Sequence, residues 1–114
     1  MAVHRELGNG YLELVYERAL EVELDLAGIR CSRQVSFPVF YRGKRVGNFT
    51  SDMVVQNCLI LELKATESIC PRDEAQLINY LKASKIPVGL LLNFGCRSLK
   101  TRRFVFGYDE TRQI

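Results

Sequence analysis

The stretch Asn48 to Lys64, NFTSDMVVQNCLILELK, restricts the fold more tightly than any other part of the chain. Two short runs rich in β-branched and aliphatic residues, Phe49 to Val55 and Cys58 to Lys64, flank the polar dipeptide Gln56-Asn57. That pattern predicts a hairpin with a tight turn. Leu59-Ile60-Leu61 is apolar enough for a central strand buried on both faces. Charges nevertheless enter it. Because strand side chains alternate, Glu62 and Lys64 share one face while Leu63 points to the other, and Asp52 on the partner strand falls within cross-strand reach. An unpaired buried charge costs several kcal/mol or more, so three ionisable groups converging there either pair with one another or hold a ligand such as a metal ion.

Spacing leaves both readings open. In one, Asp52, Glu62 and Lys64 form an ion cluster that caps the sheet. In the other, the two carboxylates supply hard oxygen ligands to a magnesium ion, and the ammonium group orients an attacking water or neutralises phosphate charge. The pattern Asp-x(n)-Glu-x-Lys resembles the core of the PD-(D/E)XK nuclease superfamily, with Ser51 standing where a proline usually precedes the aspartate.

At 114 residues, 47% hydrophobic and 25% charged, the chain is expected to form one soluble domain over 1–114, large enough to bury a core without disulfides. No apolar run approaches the roughly 20 residues that cross a bilayer. The opening MAVHRELGNG has no signal-peptide core, so no membrane partner is expected and the cytoplasm is the expected location. Cys31, Cys58, Cys70 and Cys96 form no CxxC pair, which argues against a zinc ribbon or a disulfide framework and for reduced thiols. A net charge of +3 says little, but Arg97, Lys100, Arg102 and Arg103 fall within seven residues with no acid between them. They form a candidate phosphate-contacting patch, and the same residues also suit a solvated strand edge.

Residues 1 to 7 read as the last turn or two of a helix, a short or trimmed N-terminal element that Gly8-Asn9-Gly10 breaks. From Tyr11 to Ala27, helical periodicity places Leu12, Val15, Tyr16, Ala19, Val22 and Leu26 on one expected core stripe, with Gly28 as terminator. Glu17, Arg18, Glu21 and Asp25 are expected in solvent. Glu13 lies on the shoulder of the stripe, in the first turn, where the helix dipole favours an anion. Glu23 lies nearer its middle, within reach of Arg30 or Arg33, and His4 is expected at the surface.

Ser32 to Tyr41 predicts a strand, and Pro38 inside it predicts an edge position or a bulge. Arg42 to Arg45 is a turn into the hairpin, which makes a three-stranded antiparallel meander. Pro71 suits the first turn of a helix running to about Ser84, with Asp73 and Glu74 in that turn and Ala75, Ile78, Leu81 and Lys82 as its stripe. Val88 to Phe94 reads as a second fully buried strand, reached by a right-handed parallel crossover. Leu99 to Tyr108 reads as an edge strand before a polar tail over 109–114. The expected fold is therefore α/β, a mixed sheet of about five strands flanked by two main helices.

Gly10 to Tyr16, GYLELVY, resembles the signature of the GxxExxY protein family, a branch of that superfamily. The likeness continues through His4 to Gly8, Glu23-Leu24, Asp52, Glu62-Leu63-Lys64 and Ala75 to Leu81, in order and over nearly the whole chain. This resemblance implies a restriction-endonuclease-like fold and a metal-dependent nuclease that hydrolyses phosphodiester bonds in DNA or RNA. It further implies that Glu13, Asp52 and Glu62 bind one or two Mg²⁺ or Mn²⁺ ions and that Lys64 assists the water nucleophile. Gln76 and Tyr80, four residues apart on the predicted helix, resemble an auxiliary motif of the superfamily's recombination-nuclease branch. Gln76 would bond a metal ligand, water or phosphate, and Tyr80 would orient it or contact nucleic acid. By themselves the two read as a polar helix shoulder with a half-buried tyrosine. Nuclease-like folds also serve noncatalytic nucleic-acid-binding or adaptor modules, so that alternative stays open, together with a homodimer or a protein partner.

Overall fold

The computed structural model describes residues 2–106, so the polar tail and Tyr108 lie outside the described residues. The elements follow in the order α1 (Ala2–Leu7), α2 (Glu13–Leu26), β1 (Cys31–Tyr41), β2 (Lys44–Val55), β3 (Leu59–Lys64), α3 (Pro71–Ser84), β4 (Val88–Asn93) and β5 (Lys100–Val105). They build one five-stranded sheet in the order β1-β2-β3-β4-β5. Neighbouring strands are antiparallel except β3 and β4, which run parallel with α3 as the crossover. This is the expected mixed α/β sheet.

Local chemistry accounts for the connections. Gln56 and Asn57 both take positive φ, 51° and 58°, and Arg42 and Gly43 do the same at 52° and 78°. Paired left-handed residues match the twist of the strands they join. Pro38 sits on β1 at the sheet edge, where its missing N–H leaves no ladder bond broken inside the sheet. Helix α3 begins at Pro71, and the Asp73 side chain accepts the Cys70 amide at 3.1 Å, a reciprocal cap that fixes the start of the helix. At Gly89 an added Cβ would lie 2.9 Å from the Leu77 side chain, so the glycine lets α3 settle on β4.

The sheet separates two apolar layers. On the α2 side Tyr16, Leu20, Met53, Leu61, Leu63 and Phe94 pack together, and on the α3 side Val54, Ile60, Leu77, Leu81 and Leu91 do so. Strand β3 feeds both, with Ile60 on one face and Leu61 and Leu63 on the other. Strand β1 changes sides part way. Cys31 packs on the α2 layer, whereas Val35 and Phe37, at even spacings from it, pack on the α3 layer. The reversal occurs at Gln34, whose φ of 55° is left-handed.

Several side chains differ from the sequence-based expectation. The core-facing side of α2 is Tyr16, Glu17 and Leu20, while Leu12 is 81% exposed and Val15, Val22 and Leu26 also face solvent. The helix carries two apolar faces, and periodicity cannot rank them. Tyr16 does: its ring stacks on Phe94 at 4.5 Å and its hydroxyl donates to the Gly8 carbonyl at 2.7 Å. Glu17, expected in solvent, is buried because Arg33 and the Gln34 amide both bind its carboxylate. Arg33 also binds Glu21 at 3.2 Å, so Glu23 stays exposed without it. Leu77 and Leu81, rather than Ala75 and Ile78, are the fully buried residues of α3. His4 is buried, with Nε2 donating to the Cys96 carbonyl at 3.0 Å. Among the described residues no helix is long and apolar enough to cross a membrane.

Candidate active site

The ladder between β2 and β3 pairs Val55 with Leu59, Val54 with Ile60 and Met53 with Leu61, and then stops. The next opposed positions are Asp52 and Glu62. There the strands part, and side chains take over the backbone bonding. The Asp52 amide donates to Glu62 Oε2 at 2.9 Å, and the Leu63 amide donates to Asp52 Oδ2 at 2.8 Å. On its other side β3 stays paired with β4 through Lys64 and Asn93, so the opening lies between β2 and β3 alone. It coincides with the face reversal at Gln34, which stands across from Asp52 between the pairs Arg33–Met53 and Val35–Ser51.

The two carboxylates carry a strong electrostatic burden. Glu62 is 6% exposed, and burial, with the Asp52 charge second, pushes its carboxyl up to about 8. The Asp52 amide and Lys64 oppose that rise without cancelling it. Burial also raises Asp52, helped by Glu17 and Glu13 and opposed by the Leu63 amide and Lys64. A three-membered ion cluster is not formed. Lys64 Nζ lies instead 3.6 Å from Asp73 Oδ1 at the start of α3. Burial would raise Asp73, but the Cys70 amide and thiol and the Lys64 ammonium hold it below the ordinary carboxylate value.

The remaining candidate residues gather around this pair to different degrees. Glu13 is exposed at the first position of α2, near enough for its charge to raise Asp52. Among the described residues no three His, Cys, Asp or Glu side chains come together as a metal-holding group. Tyr80 stacks on Phe49 at 3.9 Å, and burial followed by the Glu62 and Asp52 charges raises its hydroxyl, with the Gln76 side chain pulling the other way. Gln76 itself is exposed. The four basic residues near the end of the chain do not make one patch. Strand alternation puts Lys100 and Arg102 on the face of Phe104, toward α3, and turns Arg103 away from it. Arg102 binds Glu74 at 3.2 Å, and Arg97 lies in the loop before the strand.

Two residues at the site carry more than their sequence positions announced. Asp73 reads as a first-turn helix acid and is also the partner of Lys64. Asn93 reads as the polar end of an apolar run, yet it is fully buried, and its Oδ1 accepts the amides of Thr66 at 3.1 Å and Gly95 at 3.0 Å. That bond ties the loop after Lys64 to the loop after β4. Gly95 completes the tie, since a Cβ there would stand 2.2 Å from the Thr66 carbonyl oxygen. A lone polar side chain inside a strand buried on both faces was the available signal for Asn93.

Asp52 and Glu62 fit a hard divalent cation. Each commits one oxygen to a backbone amide, which leaves Oδ1 and Oε1 for another partner. Among the described residues no buried side-chain oxygen lacks a hydrogen bond, so these two retain contact with solvent. Buried carboxylates held toward the protonated form, Glu62 partly by the Asp52 charge, are stabilised as anions by a nearby cation, and carboxylate oxygen suits Mg²⁺-class ions.

Comparison with known proteins gives matches to a family and to solved structures. The family described as the PD-(D/E)XK nuclease superfamily matches residues 1–104. The crystal structure of SSO0001 superposes with a TM-score of 0.64 at 17% identity, over 86% of this chain and 52% of that one. The chain thus spans about half the length of that protein, and the likeness is one of fold. No curated protein matches the sequence.

Proposed function

Because the chain belongs to the PD-(D/E)XK nuclease superfamily, we propose that it is a nuclease of the GxxExxY branch that hydrolyses phosphodiester bonds in DNA or RNA with Mg²⁺ or Mn²⁺. The observation that carries this reading is the pair Asp52 and Glu62, held by each other's strand at the point where β2 and β3 separate. Rigid amide bonds on one oxygen of each carboxylate fix the direction of the other. A divalent ion bound there would supply positive charge to the phosphoryl and leaving oxygens. Asp52 and Glu62 would hold it, and Glu13 would add an acid from the α2 side. Lys64 orients the attacking water and offsets phosphate charge, its ammonium held 3.6 Å from Asp73 Oδ1. In the reaction the water oxygen forms a new bond to phosphorus, the ester oxygen departs, and a proton passes to it. Gln76 and Tyr80 border the site on the α3 side, where they position water or phosphate, and Lys100 and Arg102 lie on the same face for phosphate contact.

The signature residues support the branch assignment. Gly10 takes a φ of 114°, and the Tyr16 hydroxyl accepts the Tyr11 amide at 3.1 Å while donating to Gly8. Together they fix the loop that delivers Glu13 to the start of α2. In this arrangement the glycine and tyrosine are architectural and the glutamate faces the chemistry.

The test is calorimetric titration of Mg²⁺ and Mn²⁺ into folded wild type and folded Glu62→Ala, followed by cleavage of single- and double-stranded DNA and RNA in the same buffers. Ion binding lost in the variant, with cleavage by wild type alone, is the expected result. A folded wild type that binds no divalent ion even with nucleic acid present overturns the catalytic reading and leaves a noncatalytic binding module.

A further inference from the structure

The β1–β2 hairpin extends well past the sheet to which it belongs. Strand β3 reaches β2 only at Met53, Val54 and Val55, so the ladder from Val35–Ser51 to Tyr41–Lys44 pairs these two strands with each other alone. No acid occurs from Leu26 through Ser51, whereas Arg30, Arg33, Arg42, Lys44 and Arg45 do. Arg33 is taken by Glu17 and Glu21 at the base of the hairpin. The basic residues of the tip, Arg42, Lys44 and Arg45, are all exposed and have no acid within ion-pair distance among the described residues. Two aromatic residues stand beside them, Phe40 at 60% and Tyr41 at 62% exposed, and the Arg42 guanidinium lies over the Tyr41 ring at 5.6 Å.

A run of stacked rings leads from the neighbourhood of Asp52 and Glu62 to the base of this arm. Tyr80, whose hydroxyl feels both carboxylates, stacks on Phe49, and Phe49 stacks on Phe37 at 5.1 Å. Beyond Phe37 a cleft of about 480 Å³ opens between the arm and the end of α3, lined by Pro38, Phe40, Asn79, Lys82 and Lys85 and by no acid. Aromatic faces interleaved with cations and free of acids complement a polyphosphate chain whose bases or sugars offer apolar surface.

We propose that the β1–β2 arm holds nucleic acid away from the cleavage centre, with Arg42, Lys44 and Arg45 on phosphates at the tip and Phe40 and Tyr41 packed against sugar or base. The proposal rests on the nuclease reading for the position of the scissile phosphate. Arg45 lies seven residues along β2 from Asp52, which at ~3.3 Å per residue is about 23 Å. A duplex rising ~3.4 Å per base pair covers that length in about seven base pairs. A substrate bound at the site therefore meets the arm when it reaches at least that far to one side.

The experiment measures binding without cleavage. Glu62→Ala protein, with and without Arg42→Ala, Lys44→Ala and Arg45→Ala together, is titrated with duplex DNA and duplex RNA of about 8 and about 20 base pairs over a range of salt. Each lost phosphate contact lowers the slope of log K against log salt by about 0.9. The expected result is a slope shallower by about 2 to 3 on the long duplex and changed by less on the short one, which spans site and arm only when its end lies at the cleavage centre. The substituted residues are exposed and outside both apolar layers, and an unchanged melting temperature confirms that the variant is folded. Equal slopes for the two proteins on the long duplex, or no binding of either nucleic acid by the parent, overturn the proposal. Loss of self-association with nucleic-acid binding intact also overturns it and assigns the arm tip to a second copy of the chain. Absence of cleavage by wild type, with the slope difference present, refutes the nuclease reading and leaves the arm as a nucleic-acid contact.

Discussion

Replacing Glu62 with glutamine should remove most of the pH dependence of stability between about pH 5 and 8 in metal-free buffer. In the folded protein the Glu62 carboxyl is pushed from 4.5 up to about 8, with burial as the larger cause and Asp52 as the second. The unfolded chain releases that proton near the ordinary value. Between the two values the native state keeps a proton that the unfolded state has lost, so stability falls as pH rises. The loss is ~1.4 kcal/mol per pH unit, which over this window reaches on the order of 4 kcal/mol. Below the ordinary value both states are protonated, and above the raised value both are ionised, so the curve flattens at each end. Asp52 shifts in the same direction and begins its contribution at lower pH. Glutamine keeps the shape of the side chain, and its carbonyl oxygen still accepts the Asp52 amide. The assay is urea unfolding of both proteins across the pH range. Wild type should lose several kcal/mol from pH 5 to 8 and the variant much less, so that the variant is the more stable protein at pH 8. Parallel curves, or a wild type that stays flat, would refute the account of two crowded carboxylates at the strand opening.

Asn93→Ala should cost about 2–4 kcal/mol in the same unfolding assay, because the amides of Thr66 and Gly95 lose their shared acceptor in a buried place. A loss below about 1 kcal/mol would mean that water replaces the side chain there. Tyr16→Phe keeps the stack on Phe94 but removes the bonds to the Gly8 carbonyl and the Tyr11 amide, and should cost about 1–2 kcal/mol. Hydrogen exchange at the Tyr11 amide should accelerate in that variant, and an unchanged rate would remove the tyrosine from its anchoring role.

Much of the architecture was legible because its signals are local. Gln56-Asn57 and Arg42-Gly43 mark tight turns by residue type, Pro71 and Asp73 mark the start of α3, and the apolar runs of β3 and β4 announce strands covered on both sides. Fully buried neighbouring strands with a helix between them leave a parallel crossover as the economical arrangement. Helical periodicity likewise located α2 and α3. It could not choose the buried face of either, because each helix presents more than one row of apolar residues. That choice fell to distant partners, Phe94 for Tyr16 and Gly89 for Leu77 and Leu81.

The candidate site divides along the same line. Alternation in a strand put Glu62 and Lys64 on one face, and the short turn at Gln56-Asn57 put Asp52 opposite Glu62, so the sequence by itself determined which carboxylates meet. Their actual bonding is a tertiary matter. Asp52 and Glu62 each accept a main-chain amide of the other's strand because the ladder opens where Gln34 turns left-handed, and no pattern of residue types encodes that geometry. Lys64 turns to Asp73 because the crossover returns the first turn of α3 to the end of β3. The fates of Glu17 and His4 depend on partners found sixteen and ninety-two residues away. Local chemistry names the elements, their order and the charges they carry, whereas the pairing of those charges is decided only when packing brings remote segments within a few ångströms.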